Sequence, residues 1–474
     1  MGPAEALEAM EALEALEAAR LAGEVAREVE VARVVEHLRE AAAAAAVAAA
    51  VARPGEAGAR EALRGWCEET WRETARGGGW RSAAVREAFV GVSAVRCAAA
   101  LDCAASASGG LGSGSDRGGE DDVDGLVLEA SEALDGVLLA AGLGEGGARV
   151  EALRAALEPL ACEAWRRSAA GRAGAGLEGD VLRTGGAGAC AAPAGASLAG
   201  GARDRQVTRV PRLPVRNFCE RFYAARRPVV VGGGAVGEGW PAWERWGALA
   251  YLRGVAGHRL VPIELGVHGD GTWRERVMRV HEFIDRYLAT AGAHRVGEEE
   301  EEEEEKVAYL AQHALFGQVL GLREDFWVPE AWWSGMEGGR STGTYVWLGT
   351  EGTRTPLHYD GDDNLLVQVA GWKRVRLYAP EEALAGRLHV VAAGGEGAGG
   401  SYAQGNLSAV GDPENVEAMG AAYPGFADAQ WTEALLGPGD ALFIPAGHWH
   451  YVRSLERSLS VSFFFRTAHT GRTP

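Results

Sequence analysis

The stretch TPLHYDGDDNLLVQVAGWKRVRLYAP, residues 355–380, sets a histidine and an aspartate two positions apart and then, past a glycine, a lysine at the head of an alternating run. In an extended strand successive side chains point to opposite faces, so His358 and Asp360 share one face while Leu357 and Tyr359 take the other. Two metal ligands thereby converge. In KRVRLY the same alternation puts Lys373 with Val375 and Leu377, opposite Arg374, Arg376 and Tyr378, so the lysine is expected to point inward. A buried ammonium is costly unless an anion meets it, and no acidic residue nearby in the sequence supplies one. The competing arrangement is a lysine whose stem lies on apolar surface while its head reaches water.

Downstream, GDALFIPAGHWHYVRSLERSLSVSFFF, residues 439–465, holds a turn, a strand ending at Pro445, then His448 and His450, then a second alternating strand. Either histidine offers a third ligand. Two histidines and one carboxylate leave half of an iron coordination sphere open, the arrangement of non-haem Fe(II) oxygenases. From about residue 206 the chain runs in short apolar segments such as RPVVVGG, RLVPIELG and TYVWLG, separated by glycine and proline turns, which predicts a sandwich or barrel. Within this half, WRERVMRVHEFIDRYLATAG (273–292) reads as a helix, and the glutamate run at 298–305 as a solvated insertion.

Residues 1–170 are rich in Ala, Glu, Leu and Arg and read as mostly helical, and residues 171–205, rich in glycine and alanine, read as a flexible linker. Residues 206–474 form the expected catalytic domain. The net charge of −19 argues against affinity for nucleic acid or anionic membranes, and a basic protein segment is the more natural partner. The six cysteines all lie upstream of residue 220 with no CxxC pair, which fits a reduced intracellular setting, nucleus or cytoplasm. The start of the chain shows no secretory pattern, and the alanine-rich run at 41–52 is too short to cross a bilayer.

TPLHYD, NLLVQVAGWKRVRLYAP and GDALFIPAGHWHYVRSLERSLSVSFFF, in that order, resemble the JmjC family of 2-oxoglutarate oxygenases. VAYLAQHALFGQV (307–319) with VWLGTEGTRTPLHYD (346–360) narrows the resemblance to the lysine demethylase 8 branch. The resemblance covers residues 206 to 468 and implies an α+β chain, with a C-terminal double-stranded β-helix, a cupin-like jelly-roll barrel, behind a mostly helical N-terminal region. It further implies Fe(II) held by His358, Asp360 and His450. His450 is preferred to His448 because the family's metal histidine follows the proline of "IP" by five positions. Lys373, Thr355, Asn364 and Tyr309 are implied to bind 2-oxoglutarate, whose far carboxylate is the anion that Lys373 lacks.

In the resembling branch the substrate pocket is bordered by the segments that here carry Glu264, Trp273 and Trp347. A carboxylate with two indole faces suits a guanidinium, although tryptophans in strands also serve simply as core. Three functions follow. The leading expectation is an Fe(II)- and 2-oxoglutarate-dependent hydroxylase that uses dioxygen on arginine side chains of a protein substrate. The alternative is a histone methyl-lysine demethylase with the same iron chemistry. A third, of another class, is a non-catalytic cupin-like binding module, against which the complete ligand set and Lys373 count.

Overall fold

The computed structural model describes residues 205–267, 273–289, 307–391 and 405–470, together with 124–135, 160–168, 180–184 and single positions 65, 93, 100, 158, 177, 192 and 193. The glutamate run lies outside the described residues, as do most of the helices expected over 1–170 and most of the 171–205 segment. The described parts of the N-terminal region, 124–135 and 160–167, are helical.

The described residues of the C-terminal half form thirteen strands: β1 (Arg209–Val210), β2 (Val229–Val231), β3 (Leu260–Leu265), β4 (Arg274–Arg279), β5 (Ala308–His313), β6 (Arg340–Gly349), β7 (Arg354–Tyr359), β8 (Asp363–Ala370), β9 (Lys373–Tyr378), β10 (Trp431–Leu436), β11 (Ala441–Ile444), β12 (Trp449–Ser454) and β13 (Ser458–Arg466). They form a nine-stranded sheet, in the order β1-β2-β11-β8-β13-β6-β5-β3-β4, and a four-stranded sheet, β10-β9-β12-β7. From β6 to β13 the chain passes repeatedly between the two sheets, and each pairing among these strands is antiparallel. That is the jelly-roll winding of a cupin-like barrel, and the fold is α+β.

Strand alternation sorts the side chains into three layers. In β13, Leu459, Val461, Phe463 and Phe465 join the large core outside the nine-stranded sheet, while Ser462 faces the barrel interior beside Trp347. Val375 and Leu377 of β9 and Leu442 and Ile444 of β11 fill that interior. Leu357, Tyr378, Trp449 and Tyr451 pack a third cluster on the outer face of the smaller sheet. The turn from β8 to β9 has room only for glycine, because Gly371 has φ +70° and a Cβ there would lie 2.1 Å from the Arg457 carbonyl oxygen.

One expectation is corrected. Residues 274–279, expected as helix, form β4 and pair along their whole length with β3, and helix begins only at Val280. RERVMR alternates as well as it spirals, and the open edge of β3 decides between the two. Residues 180–184 lie against the domain: the Leu182 amide donates to the Gly247 carbonyl (2.7 Å) and the Gly371 amide to the Arg183 carbonyl (2.7 Å).

Helix α1 (Leu249–Ala256) is tied to the barrel through Asp325, which is fully buried and accepts hydrogen bonds from Trp246 Nε1 (2.7 Å), Tyr251 Oη (2.6 Å) and Arg245 (2.6 Å). Removing a buried acceptor strands its donors. Asp325→Ala is expected to lower the unfolding free energy by about 2–5 kcal/mol, measured by denaturant titration.

Candidate metal centre and cosubstrate cleft

β7 and β12 are neighbours, and His358 and His450 face each other across them with ring centroids 4.3 Å apart. Asp360 follows the end of β7, where the Gly447 amide donates to its carbonyl (2.9 Å). Its two carboxylate oxygens lie 3.7 Å from His358 Nε2 and 3.5 Å from His450 Nε2. One donor atom from each of the three side chains falls within 4.8 Å of the others. Of the three neighbouring aspartates only Asp360 faces the cleft. Asp362 pairs with Arg466, and Asp363 pairs with Arg226 at 2.7 Å.

Each histidine is oriented by a backbone carbonyl. His358 Nδ1 lies 2.8 Å from the Pro356 oxygen and His450 Nδ1 3.0 Å from the His448 oxygen. A carbonyl can only accept, so Nδ1 carries the proton and Nε2 keeps its lone pair for a metal. Burial, reinforced by the nearby His358, pulls His450 down to about 4, so it is neutral at physiological pH. His448 is buried outside the cleft lining and contributes its carbonyl to orienting His450.

Tyr309, Trp347, Thr355, Asn364 and Lys373 line one cleft together with the His358–Asp360–His450 group. An irregularity brings Thr355 to this face. Val452 pairs with Thr355 and His450 with His358, so two steps along β12 match three along β7. That bulge turns both Thr355 and His358 inward, which regular alternation forbids.

Lys373 is 1% exposed, and its ammonium donates to the Tyr309 hydroxyl at 3.2 Å. No carboxylate pairs with it among the described residues, and burial alone pulls it down from 10.5 to about 7. The rings of Tyr309 and Trp347 lie 5.4 and 5.9 Å from Nζ. Asn364 carries a buried amide oxygen without a partner. Its Nδ2 donates to Ser462 Oγ (3.4 Å), which also accepts from Trp347 Nε1 (2.9 Å). Sequence reasoning missed Ser462, although serines at alternate positions of SLSVS, otherwise a core strand, were its visible signal.

Two imidazoles that turn Nε2 toward a shared carboxylate suit Fe(II). An unanswered buried cation beside them, with hydroxyl and amide groups around it, suits a small dicarboxylate such as 2-oxoglutarate. The donor set and the fold are those of a 2-oxoglutarate-dependent Fe(II) oxygenase.

Of the residues expected to border substrate, Trp347 lines the cleft, whereas Glu264 and Trp273 stand outside its lining. Glu264 pairs in register with Tyr309 of β5 on one side and Glu275 of β4 on the other, and Trp273 hydrogen-bonds its carboxylate. Burial, with Glu275 adding to it, pushes Glu264 up to about 7.

The sequence profile of the cupin-like domain matches residues 214–471, and the chain belongs to that family. It is similar to lysine-specific demethylase 8 of Danio rerio, 38% identical over 264 residues covering 55% of this chain and 58% of that one. JmjC domain-containing protein F of Dictyostelium discoideum is 34% identical over 278 residues, 50% of this chain and 56% of that one. tRNA wybutosine-synthesizing protein 5 of Danio rerio is 31% identical over 267 residues, 52% of this chain and 72% of that one. The chain thus spans little more than half the length of the first two relatives.

His450→Ala is expected to cost one equivalent of bound Fe(II), read by metal analysis after anaerobic loading, whereas His448→Ala keeps it. Loss of the metal in the second variant alone would reassign the third ligand.

Proposed function

We propose that this chain is an Fe(II)- and 2-oxoglutarate-dependent oxygenase of the lysine demethylase 8 branch, acting on a cationic side chain of a protein segment. The observation that carries the reading is Lys373, a buried cation whose hydrogen-bond partner is an uncharged hydroxyl, sharing one cleft with a three-ligand metal centre. When bound, the metal with 2-oxoglutarate and dioxygen supplies the oxidant for a C–H bond, and 2-oxoglutarate leaves as succinate and carbon dioxide. The chain's own part is placement. Lys373 pairs with the far carboxylate, Tyr309, Thr355 and Asn364 complete its hydrogen bonds, and the aromatic wall of Tyr309 and Trp347 keeps water from that ion pair.

For the substrate, similarity to lysine-specific demethylase 8 of Danio rerio favours oxidation of a lysine N-methyl group. A specific observation favours hydroxylation of arginine instead. Glu264 and Glu275 stand opposite each other on β3 and β4, and burial raises both carboxyls. Like charges so placed repel, and a planar guanidinium can satisfy two carboxylates where an ammonium is a point charge. The tRNA-directed name of a third relative fits less well with a net charge of −19. A nuclear or cytoplasmic setting goes with a protein substrate.

Peptides bearing arginine or methyl-lysine, incubated with the loaded enzyme and read by mass spectrometry, separate the readings: one added oxygen for hydroxylation, one lost methyl for demethylation. Under the arginine reading Glu264→Gln is expected to lose tenfold or more in peptide oxidation, roughly a hydrogen bond to a charged group, while succinate formation without peptide continues. Equal peptide oxidation by both proteins would rule out a part for Glu264 in holding the substrate.

A carboxylate beside Lys373 favours its charged form, so the cosubstrate complex has the higher lysine pKa. Above about pH 7 the empty cleft has lost that proton and binding must take it up. Affinity for 2-oxoglutarate is therefore expected to fall by up to about tenfold per pH unit above that point. Calorimetry in buffers of different ionisation enthalpy measures the uptake. In Lys373→Met both the affinity and its pH slope should collapse, with Fe(II) binding retained.

A further inference from the structure

Away from the cleft, a second group of described side chains has metal-ligand chemistry. Glu158 and Cys162 are both helical and four positions apart, and so share one side of the helix. His258 lies in the turn between α1 and β3. A carboxylate oxygen, a thiol sulfur and a ring nitrogen from these three lie within 4.8 Å of one another. Cys162 Sγ is 3.5 Å from Glu158 Oε1 and 3.9 Å from the Val255 carbonyl oxygen.

His258 is the residue that asks for a ligand. It is 4% exposed, and neither ring nitrogen has a hydrogen-bond partner, whereas a buried imidazole ordinarily has at least one. Burial, then the charges of Arg259, His281 and Arg166, hold it neutral, the form that binds metals.

We propose that Glu158, Cys162 and His258 form a zinc(II) site that fastens the upstream helix to the barrel domain. Thiolate with imidazole selects zinc, and three protein ligands leave the fourth tetrahedral position to water. Glu158 can serve two partners, since Oε2 meets Arg259 at 3.0 Å while Oε1 faces Cys162. The Arg259 charge, which would oppose a cation, is shared with Asp135 at 3.0 Å. Cys162 gives up its proton to solvent as the metal–sulfur bond forms. Burial, with Glu158 adding to it, otherwise holds that thiol up at about 12. The scaffold around the site is close-packed. Trp165 Nε1 donates to the Arg253 carbonyl at 3.0 Å, and its ring lies where a Cβ on Gly257 would come within 2.5 Å.

The test uses the full chain, stripped by chelator and titrated with Co(II). A thiolate ligand gives a sulfur-to-cobalt charge-transfer band in the near ultraviolet; the His358–Asp360–His450 centre has no sulfur and cannot give it, and Cys162→Ser separates Cys162 from the other five cysteines. With both centres loading, the band is expected to saturate by two equivalents of Co(II), Zn(II) to bleach it, and Glu158→Gln to weaken binding at the sulfur site by about tenfold or more. Cys162→Ser should lack the band while still taking up Co(II) at the sulfur-free centre, which also shows that this variant is folded. No band in the wild-type protein, or the same band in Cys162→Ser, overturns the proposal without touching the oxygenase reading.

Discussion

A single unanswered charge constrains the barrel. Strand β9 carries three cations, and their fates differ. Arg374 and Arg376, on the outer face, meet Glu414 and Glu433 at 3.1–3.6 Å. Lys373, on the inner face, pairs across the sheet with Leu436 and Ser454, neither of which carries charge. Its ammonium finds one hydroxyl and two aromatic faces. An aliphatic residue there would pack without that desolvation cost. That cost is offset if the other half of an ion pair arrives with a ligand, the arrangement the proposed 2-oxoglutarate site supplies.

The metal side of the cleft follows the opposite electrostatic rule. Its histidines are oriented by carbonyls of their own chain, which turn each Nε2 toward Asp360, the one carboxylate of the group. A metal dication held by these three groups would have only one of its two charges answered by the protein, which would favour an anionic cosubstrate as a further ligand. The β7 bulge connects the two halves, because it lets one strand present both Thr355 and His358 to the cleft.

How much of this was legible depended on whether a side chain's direction followed from local periodicity. His358, Asp360 and Lys373 were readable because period-two alternation holds where they lie, and Leu357 and Tyr378 do pack outside the barrel. Thr355 has the wrong parity relative to His358, and only family resemblance singled it out. His448 and His450 have the same parity. What separates them is the turn at Gly447, with φ +82°, which leaves His448 before the start of β12. WTEALL in β10 and RERVMR in β4 have helical composition and become strands because sheet edges recruit them. The Glu158–Cys162–His258 group was invisible because its members lie on an upstream helix and on a turn that only the folded chain brings together.

That same turn shows how the helical region bears on the cleft. His258 and Arg259 lead directly into β3, whose first amide, Leu260, donates to Asp135 of the 124–135 helix at 3.0 Å. Arg259 is held by Asp135, Glu158 and Ser131, all from upstream helices. At the far end of β3, Glu264 pairs with Tyr309, the residue that receives the Lys373 hydrogen bond. β3 is paired with β4 along its full length, six residues from Leu260 to Leu265. The N-terminal helices therefore fix the start of the strand whose end sets the position of Tyr309, and the electrostatics around Lys373 rest on packing made outside the barrel.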